Sequence, residues 1–337
     1  MTNARKTLKV EILLTRKCQL KCSYCAIVDN NRAECSIEQW KVGLDNLKAL
    51  GCTFATIYGG EPTLVMDKLC EFVVHCTKIG MAKTIITNAV SLSAIKLDRL
   101  IAAGLDSLTV SFDSKNGMGF SKSVDEKSIL GLRLIEKAYE QKRFRDLEVI
   151  MCLHRLNYQT LPTVIRYFSD RGIWVMWDVV HWGRWPDSKC GDISTTDRLR
   201  FQPEDKDTFQ EVMTEVLGLV RQGALVFNTE DTILDYINNY EMTTGLSWKC
   251  SYPGWLSVDC DGQMRVCDDR PGMNVGKFHV WELTLDRWEE YLAAWNKDAP
   301  ECLGCYWSSL VMAERMYSKD GSDDFFAHRL TKWDNGK

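Results

Sequence analysis

Three closely spaced cysteines are the residues of this chain most suited to chemistry. Cys18, Cys22 and Cys25 follow directly after an apolar run at residues 10–14 that reads as the first strand. Three thiolates on one short loop can bind three irons of a cubane cluster and leave the fourth iron open to a chelating ligand. The spacing therefore predicts an iron–sulfur site at which chemistry takes place, rather than a disulfide that stabilises a fold.

Composition supports a large globular protein that uses its thiols as metal ligands. The chain has 337 residues, of which 45% are hydrophobic and 14 are cysteine. The N-terminus lacks the apolar core of a signal peptide, and no apolar run reaches membrane-spanning length, which predicts a cytoplasmic protein. Thiols stay reduced in that compartment. The net charge of −4 gives no electrostatic signature of nucleic-acid binding.

Short β-rich runs alternate with amphipathic segments along the first two thirds of the chain, a pattern typical of βα units around a parallel sheet. The predicted strands span 8–14, 54–58, 84–87, 107–112, 147–153 and 174–180. The predicted helices span 37–50, 68–79, 94–103, 126–141, 161–170 and 205–221. Six units are too few to close the usual eight-stranded barrel, so the fold class is α/β, an open partial (β/α)6 TIM-like barrel. Its chemistry is expected at the carboxyl ends of the strands, where the cysteine loop lies.

A second, smaller domain is predicted after the barrel, with the boundary at residues 240 and 241. Helical periodicity gives way there to a Cys-, Trp- and Gly-rich stretch, which suits a small module stabilised by metal. Four cysteines in this stretch supply a complete coordination shell: Cys250, Cys267, Cys302 and Cys305. An iron–sulfur cluster and a structural zinc ion both fit four thiolates.

The cysteine triplet, followed after the second strand by Gly59-Gly60-Glu61-Pro62, resembles the radical S-adenosylmethionine (radical SAM) enzymes. The resemblance implies a [4Fe-4S] cluster on the three cysteines, with S-adenosyl-L-methionine (SAM) chelating the open iron. Reduction would then cleave SAM and release a 5′-deoxyadenosyl radical. The glycines would admit the cofactor close to the backbone, Glu61 would accept a hydrogen bond from its amino group, and Pro62 would stiffen the turn.

The same resemblance implies further cofactor contacts. Tyr24 matches an aromatic position near the adenine, and polar residues after later strands match contacts to the ribose and carboxylate: Asn88, Ser111 and Asp113. Asn157 is a weaker candidate of the same kind. Ser, Asn and Asp also form turns and helix caps at strand-to-helix junctions, so that alternative stays open for these residues.

The C-terminal cysteines resemble the twitch domain, a shortened SPASM extension that carries one auxiliary [4Fe-4S] cluster, so two clusters are implied in all. Cys260 is left over once the four ligands are assigned, and Cys190 lies in a loop after the sixth strand. Each is either a hydrogen-atom donor to a substrate radical or an inert small hydrophobe.

These features together predict a radical SAM enzyme that oxidises or epimerises a small, carbohydrate-like substrate. The chain begins at its first strand without an added N-terminal domain, which favours a small substrate. The alternative is cross-linking or epimerisation in a ribosomally made peptide, and an alternative of another class is a non-catalytic iron–sulfur or zinc-binding module. A flavodoxin- or ferredoxin-type protein is the expected electron donor.

Overall fold

The computed structural model of the chain describes residues 8–22, 24–25, 27–113, 126–180, 197–240, 243, 255–267, 274–298, 306 and 311. In these ranges nine strands form one sheet in the order β6-β5-β4-β3-β2-β1-β7-β8-β9. Neighbouring strands from β1 to β6 pair in parallel. The first six strands therefore form the open, partial barrel that the sequence predicts.

The strands lie close to the predicted segments. They are β1 (Leu8–Thr15), β2 (Cys52–Gly59), β3 (Ala82–Thr87), β4 (Ser107–Ser111), β5 (Asp146–Leu153), β6 (Trp174–Val179), β7 (Trp255–Val258), β8 (Gln263–Arg265) and β9 (Asn274–His279). Helices of the described ranges are α1 (Ile37–Ala49), α2 (Met66–Lys78), α3 (Ala94–Ala102), α4 (Glu126–Glu140), α5 (Leu161–Ser169), α6 (Lys206–Arg221), α7 (Glu230–Asn238) and α8 (Trp288–Asp298). All twelve predicted elements are present, with ends that differ by at most two residues.

Each strand of the barrel divides its residues between two faces. In β1, Val10, Ile12 and Leu14 belong to the main hydrophobic core, which also contains apolar side chains of the flanking helices. The intervening residues of β1 include Lys9 and Glu11, which are buried as well. Because side chains alternate across a strand, the face turned away from the helices carries polar groups.

That inner face continues across the next strands. The hydroxyls of Thr84 on β3 and Thr109 on β4 are 3.1 Å apart, and Thr109 also donates to Glu148 on β5. All three side chains are buried. The inner face of these three strands is therefore buried and carries hydrogen-bonded polar groups.

The sheet does not end at the predicted domain boundary. β7 pairs in parallel with β1, from Lys9 opposite Trp255 to Ile12 opposite Val258, and β8 and β9 continue antiparallel. The described C-terminal strands therefore extend the barrel sheet on its β1 edge. No helix of the described ranges is long and apolar enough to cross a membrane.

Candidate functional site

The three-cysteine loop leaves the carboxyl end of β1 and is partly buried. Cys18, Cys22 and Cys25 form no disulfide, and each has intermediate exposure. The Sγ atom of Cys18 accepts hydrogen bonds from the backbone N–H of Leu20 at 3.4 Å and from Nδ2 of Asn88 at 3.7 Å. Hydrogen bonds of this kind stabilise the thiolate form that binds iron.

The three thiolates of the loop can be compared with the ligand sets of metal sites. Among the described residues, no three His, Cys, Asp or Glu side chains converge on one point that could hold a metal ion. In a cubane cluster each thiolate binds a different iron, so the ligands lie farther apart than around one ion. Three thiolates on one loop fit a cluster with one open iron.

One of the four C-terminal cysteines lies in the described part of the chain. Cys267 follows β8 directly and is partly buried. The other three, Cys250, Cys302 and Cys305, lie outside the described residues, as does Cys190. The auxiliary cluster and its zinc alternative both stay predictions.

The Gly59-Gly60 turn packs against the cysteine loop. The N–H of Gly60 donates to Thr15 O at 2.8 Å, and the N–H of Glu61 donates to Lys17 O at 2.7 Å. A Cβ atom on Gly59 would collide with the Thr15 carbonyl, and one on Gly60 with that of Lys17. The glycines therefore allow two backbone segments of the protein to come into contact. The sequence predicts a close approach of the cofactor at this turn, but it does not reveal this contact.

Glu61 joins the loops that follow β2 and β3. Its side chain is fully buried, and Oε1 accepts from the N–H and hydroxyl of Thr63 and from the Thr87 hydroxyl. Oε2 accepts from the Asn88 N–H at 2.8 Å, and this is its single partner among the described residues. A carboxylate oxygen has two acceptor positions, so Oε2 has room for one further donor, such as the expected amino group. Pro62 starts a short 3₁₀ helix at residues 62–64 and is buried there.

Asn88 connects this turn to the cysteine loop. Its Oδ1 accepts from Nε2 of Gln19 at 2.9 Å and from the Val90 N–H, which orients Nδ2 toward Cys18. The next residue, Ala89, has a φ of +59°, a left-handed conformation that few residues other than glycine adopt. The oxygen of the Asn88 amide is thus fixed by Gln19 and Val90, which keeps its nitrogen in contact with Cys18.

Tyr24 ties the cysteine loop to the ends of β4 and β5. Its ring is buried beside Val180 and Leu199, with Cys22 and Cys25 packed against the same group, and its hydroxyl donates to Oδ2 of Asp113. Burial and the Asp113 charge raise the pKa of Tyr24 well above its usual value, so the phenol stays protonated as the donor. A role as an adenine contact stays a prediction.

Asp113 and Asn157 are hydrogen-bonded within the protein. Oδ1 of Asp113 accepts from the Cys152 N–H at 3.1 Å. Asn157 donates to the carbonyls of Asp113 and Cys152 and accepts from the His154 N–H. These contacts match the turn-forming alternative. Ser111, in contrast, makes no side-chain hydrogen bond in the ranges that the structure describes, although it is buried at the end of β4.

His154 is a buried group that the sequence did not single out. Its Nδ1 accepts from the Leu156 N–H, so the neutral ring carries its proton on Nε2, and this atom has no partner in the described structure. Burial lowers the pKa of His154 to about 4, against the opposing charge of Asp113. A histidine directly after a strand is the one sequence signal that could have indicated it.

Comparison with known proteins identifies the first part of the barrel. Residues 12–128 match the family model described as the radical SAM superfamily. This chain carries a radical SAM domain. The match spans the cysteine loop, the Gly59 turn and the first four strands of the barrel.

Sequence relatives match about half of the chain. The PqqA peptide cyclase of Rhodopseudomonas palustris is 32% identical over 161 residues, which are 47% of this chain and 42% of that protein. The homologous enzyme of Xanthomonas oryzae is 30% identical over 168 residues, 49% of this chain and 45% of that protein. The match thus covers less than half the length of each of these curated relatives.

Solved structures share the fold over a larger part of the chain. Streptococcus suis SuiB bound to S-adenosylmethionine superposes with a TM-score of 0.64 at 17% identity, covering 84% of this chain and 66% of SuiB. The enzyme anSMEcpe, with bound AdoMet and the Cp18Cys peptide, gives a TM-score of 0.61 at 14% identity and covers 98% of both chains. At these identities the fold is what the structures have in common.

Proposed function

We propose that this protein is a radical SAM enzyme that reductively cleaves S-adenosylmethionine and modifies a peptide substrate. The observation that carries the proposal is the three-cysteine loop, which is hydrogen-bonded through Lys17 O to the Glu61 N–H and through Cys18 Sγ to Asn88. Bound together, the cluster and SAM supply the 5′-deoxyadenosyl radical that abstracts a hydrogen atom from the substrate.

The residues around the loop have distinct parts in this proposal. Cys18, Cys22 and Cys25 bind the cluster, and Oε2 of Glu61 accepts a hydrogen bond from the amino group of SAM. The free hydroxyl of Ser111 faces no partner in the described structure and is therefore the polar group after β4 best suited to bind the cofactor. Tyr24 and Asp113 hold the loop against β4 and β5.

A peptide is a better supported substrate than the carbohydrate-like molecule that the sequence reading favoured. The matched sequence relatives are named PqqA peptide cyclases, and two structures with this fold were solved with peptides, anSMEcpe with Cp18Cys and SuiB with its precursor SuiA. The preference for a small substrate depended on where the chain begins, which is not evidence about the substrate. Cross-linking or epimerisation of a peptide is therefore the proposed outcome.

The auxiliary [4Fe-4S] cluster on Cys250, Cys267, Cys302 and Cys305 is part of the proposal. Cys267 lies two residues after β8, which pairs with β7, and β7 in turn pairs with β1. These four cysteines would hold the cluster, which would supply an acceptor for an electron from a substrate radical. A flavodoxin- or ferredoxin-type donor would supply electrons to the first cluster.

Peptide modification is tested with candidate precursor peptides encoded close to the gene for this protein. The reconstituted enzyme is incubated anaerobically with SAM, a reductant and each peptide, and the products are analysed by mass spectrometry. A loss of two hydrogens marks a cross-link, and incorporation of one deuterium from D2O without other mass change marks epimerisation. Modification of a sugar panel with every peptide unchanged would reject the peptide proposal.

A further inference from the structure

The turn between β7 and β8 holds both ends of the cysteine loop. This turn, residues 259–262, is called the clamp turn here. The guanidinium of Arg16, which starts the loop, forms a two-point ion pair with Asp259, with 3.0 Å between Nε and Oδ1 and a second contact from Nη2 to Oδ2. At the other end of the loop, Nη2 of Arg32 lies 2.6 Å from Oδ2 of Asp261.

Backbone contacts reinforce the second end. The N–H of Cys35 donates to the carbonyl of Cys260 at 2.9 Å, and the Cys260 thiol donates to the carbonyl of Ala33. Cys260 is completely buried, and burial raises the pKa of its thiol to about 12. This cysteine therefore acts as a protonated packing and hydrogen-bonding group in the clamp turn.

The clamp turn is itself rigid. The Asp259 N–H donates to the Gln263 carbonyl across the hairpin, and the Gly262 N–H donates to the Asp259 carbonyl. Gly262 has a φ of +80°. A side chain on Gly262 would collide with the ring of Trp281. The turn thus presents Asp259 from a fixed position to the cysteine loop.

The Asp259 pair differs from the Asp261 pair in burial. The side chains of Arg16 and Asp259 are 13% and 2% exposed, whereas those of Arg32 and Asp261 are 44% and 28% exposed. Burial would raise the pKa of Asp259, but the hydrogen bonds from Arg16 and the charges of Arg265 and Arg16 outweigh burial and lower it. A charged, bidentate, buried pair fixes geometry much more strongly than an exposed one.

We infer that Asp259 is a positioning residue, which fixes the cysteine loop through Arg16 so that the C-terminal hairpin sets the geometry at which the first cluster binds SAM. Arg16 lies two residues before Cys18, so the ion pair anchors the start of the backbone segment that carries the first ligand. The inference rests on the proposed function, because it concerns the same cluster and cofactor. It assigns to the C-terminal hairpin a part in the first site, separate from any auxiliary cluster.

The test compares Asp259→Asn with Asp261→Asn, a matched change at the more exposed end of the loop. Each reconstituted protein is measured for iron content, thermal unfolding, SAM affinity by equilibrium dialysis, and the EPR spectrum of the reduced cluster with and without SAM. We expect Asp259→Asn to keep its iron, to bind SAM at least about tenfold more weakly and to show an altered SAM-induced EPR change. Asp261→Asn should match the wild type.

Arg16→Lys keeps the positive charge but loses the two-point contact with Asp259. This variant tests the positioning role if Asp259→Asn fails to fold. We expect weaker SAM binding in the same direction. The inference is overturned when neither variant differs from Asp261→Asn in SAM affinity and EPR spectrum, including the case in which both lose only thermal stability. A wild-type protein that binds SAM without cleaving it would reject the proposed function, while affinity and EPR would still test the positioning role.

Discussion

The side-chain amide of Asn88 donates a hydrogen bond to the Sγ atom of Cys18, with 3.7 Å between Nδ2 and Sγ. This contact joins the end of β3 to the first proposed cluster ligand. Gln19, from the cysteine loop itself, donates to Oδ1 of the same amide at 2.9 Å. The orientation of Asn88 is thus fixed by the loop that it contacts.

Replacing Asn88 with leucine should make the first cluster harder to reduce. Reduction adds negative charge to the cluster, and an N–H donor at a ligand sulfur stabilises that charge. A hydrogen bond with a net value of ~1 kcal/mol corresponds to a one-electron potential shift of about 40 mV to more negative values. The midpoint potential is measured by EPR-monitored redox titration. Gln19→Leu, which removes the orienting contact but leaves the Asn88 amide in place, should give a smaller shift. An unchanged potential in Asn88→Leu would contradict the assignment.

Gly60→Ala should destabilise the protein and impair cluster incorporation. Its new Cβ would collide with the backbone carbonyl of Lys17, and backbone cannot move aside as a flexible side chain can. Overpacking of this kind costs about 1–3 kcal/mol. The matched control is Gly218→Ala in α6, where no atom lies near the new Cβ and alanine favours the helix by roughly 0.5–1 kcal/mol. Iron content and unfolding free energy are the measurements, and equal behaviour of the two variants would refute the close approach.

Tyr24→Phe should lower the unfolding free energy by about 1–3 kcal/mol because it removes a hydrogen bond to the buried Asp113 carboxylate. Tyr139→Phe is the control, since the Tyr139 hydroxyl donates to Gly172 O in an exposed position. We expect that change to cost less than ~1 kcal/mol. Urea unfolding of both variants measures the difference. A Tyr24 variant as stable as the Tyr139 variant would show that the loop does not depend on this contact.

His154 should make the protein less stable at acid pH. Its pKa falls from an ordinary 6.5 to about 4 in the folded state because burial disfavours the charged ring. Between about pH 4 and pH 6.5 the unfolded chain therefore binds a proton on this histidine that the folded chain does not bind. The unfolding free energy drops as pH falls from about 6.5 toward 4, by up to about 3 kcal/mol. Urea unfolding of cluster-free protein across this pH range should show a shallower dependence in His154→Gln. An identical slope in both proteins would contradict a buried neutral His154.

Much of the barrel could be predicted from the sequence because its strands and helices have clear and different periodicities. Val10, Ile12 and Leu14 mark the helix-facing side of β1, and the other predicted strands show comparable apolar runs. β7 was not anticipated as part of this sheet. Its four residues, Trp255–Val258, are too few for a periodic signal, and their pairing with β1 depends on contacts between distant parts of the chain.

The site was predictable as a set of motifs and less so as a set of contacts. Cysteine spacing and the Gly59 turn are local patterns, and the radical SAM domain match includes both. The need for Gly60 next to Lys17 O and the ion pair between Arg16 and Asp259 are invisible locally, because the partners lie 43 and 243 residues apart. The role of Asp113 as the acceptor for Tyr24 depends on the same kind of distant contact.

The most direct test of the central claim is formation of 5′-deoxyadenosine by the anaerobically reconstituted protein with SAM and dithionite. Wild type is compared with Cys22→Ala, and iron and sulfide are counted in both. We predict 5′-deoxyadenosine from the wild type alone, with about four irons per chain for the first cluster and about eight when the auxiliary cluster is present. A wild-type protein that carries its clusters yet leaves SAM intact under reduction would contradict the radical SAM activity proposed for this chain.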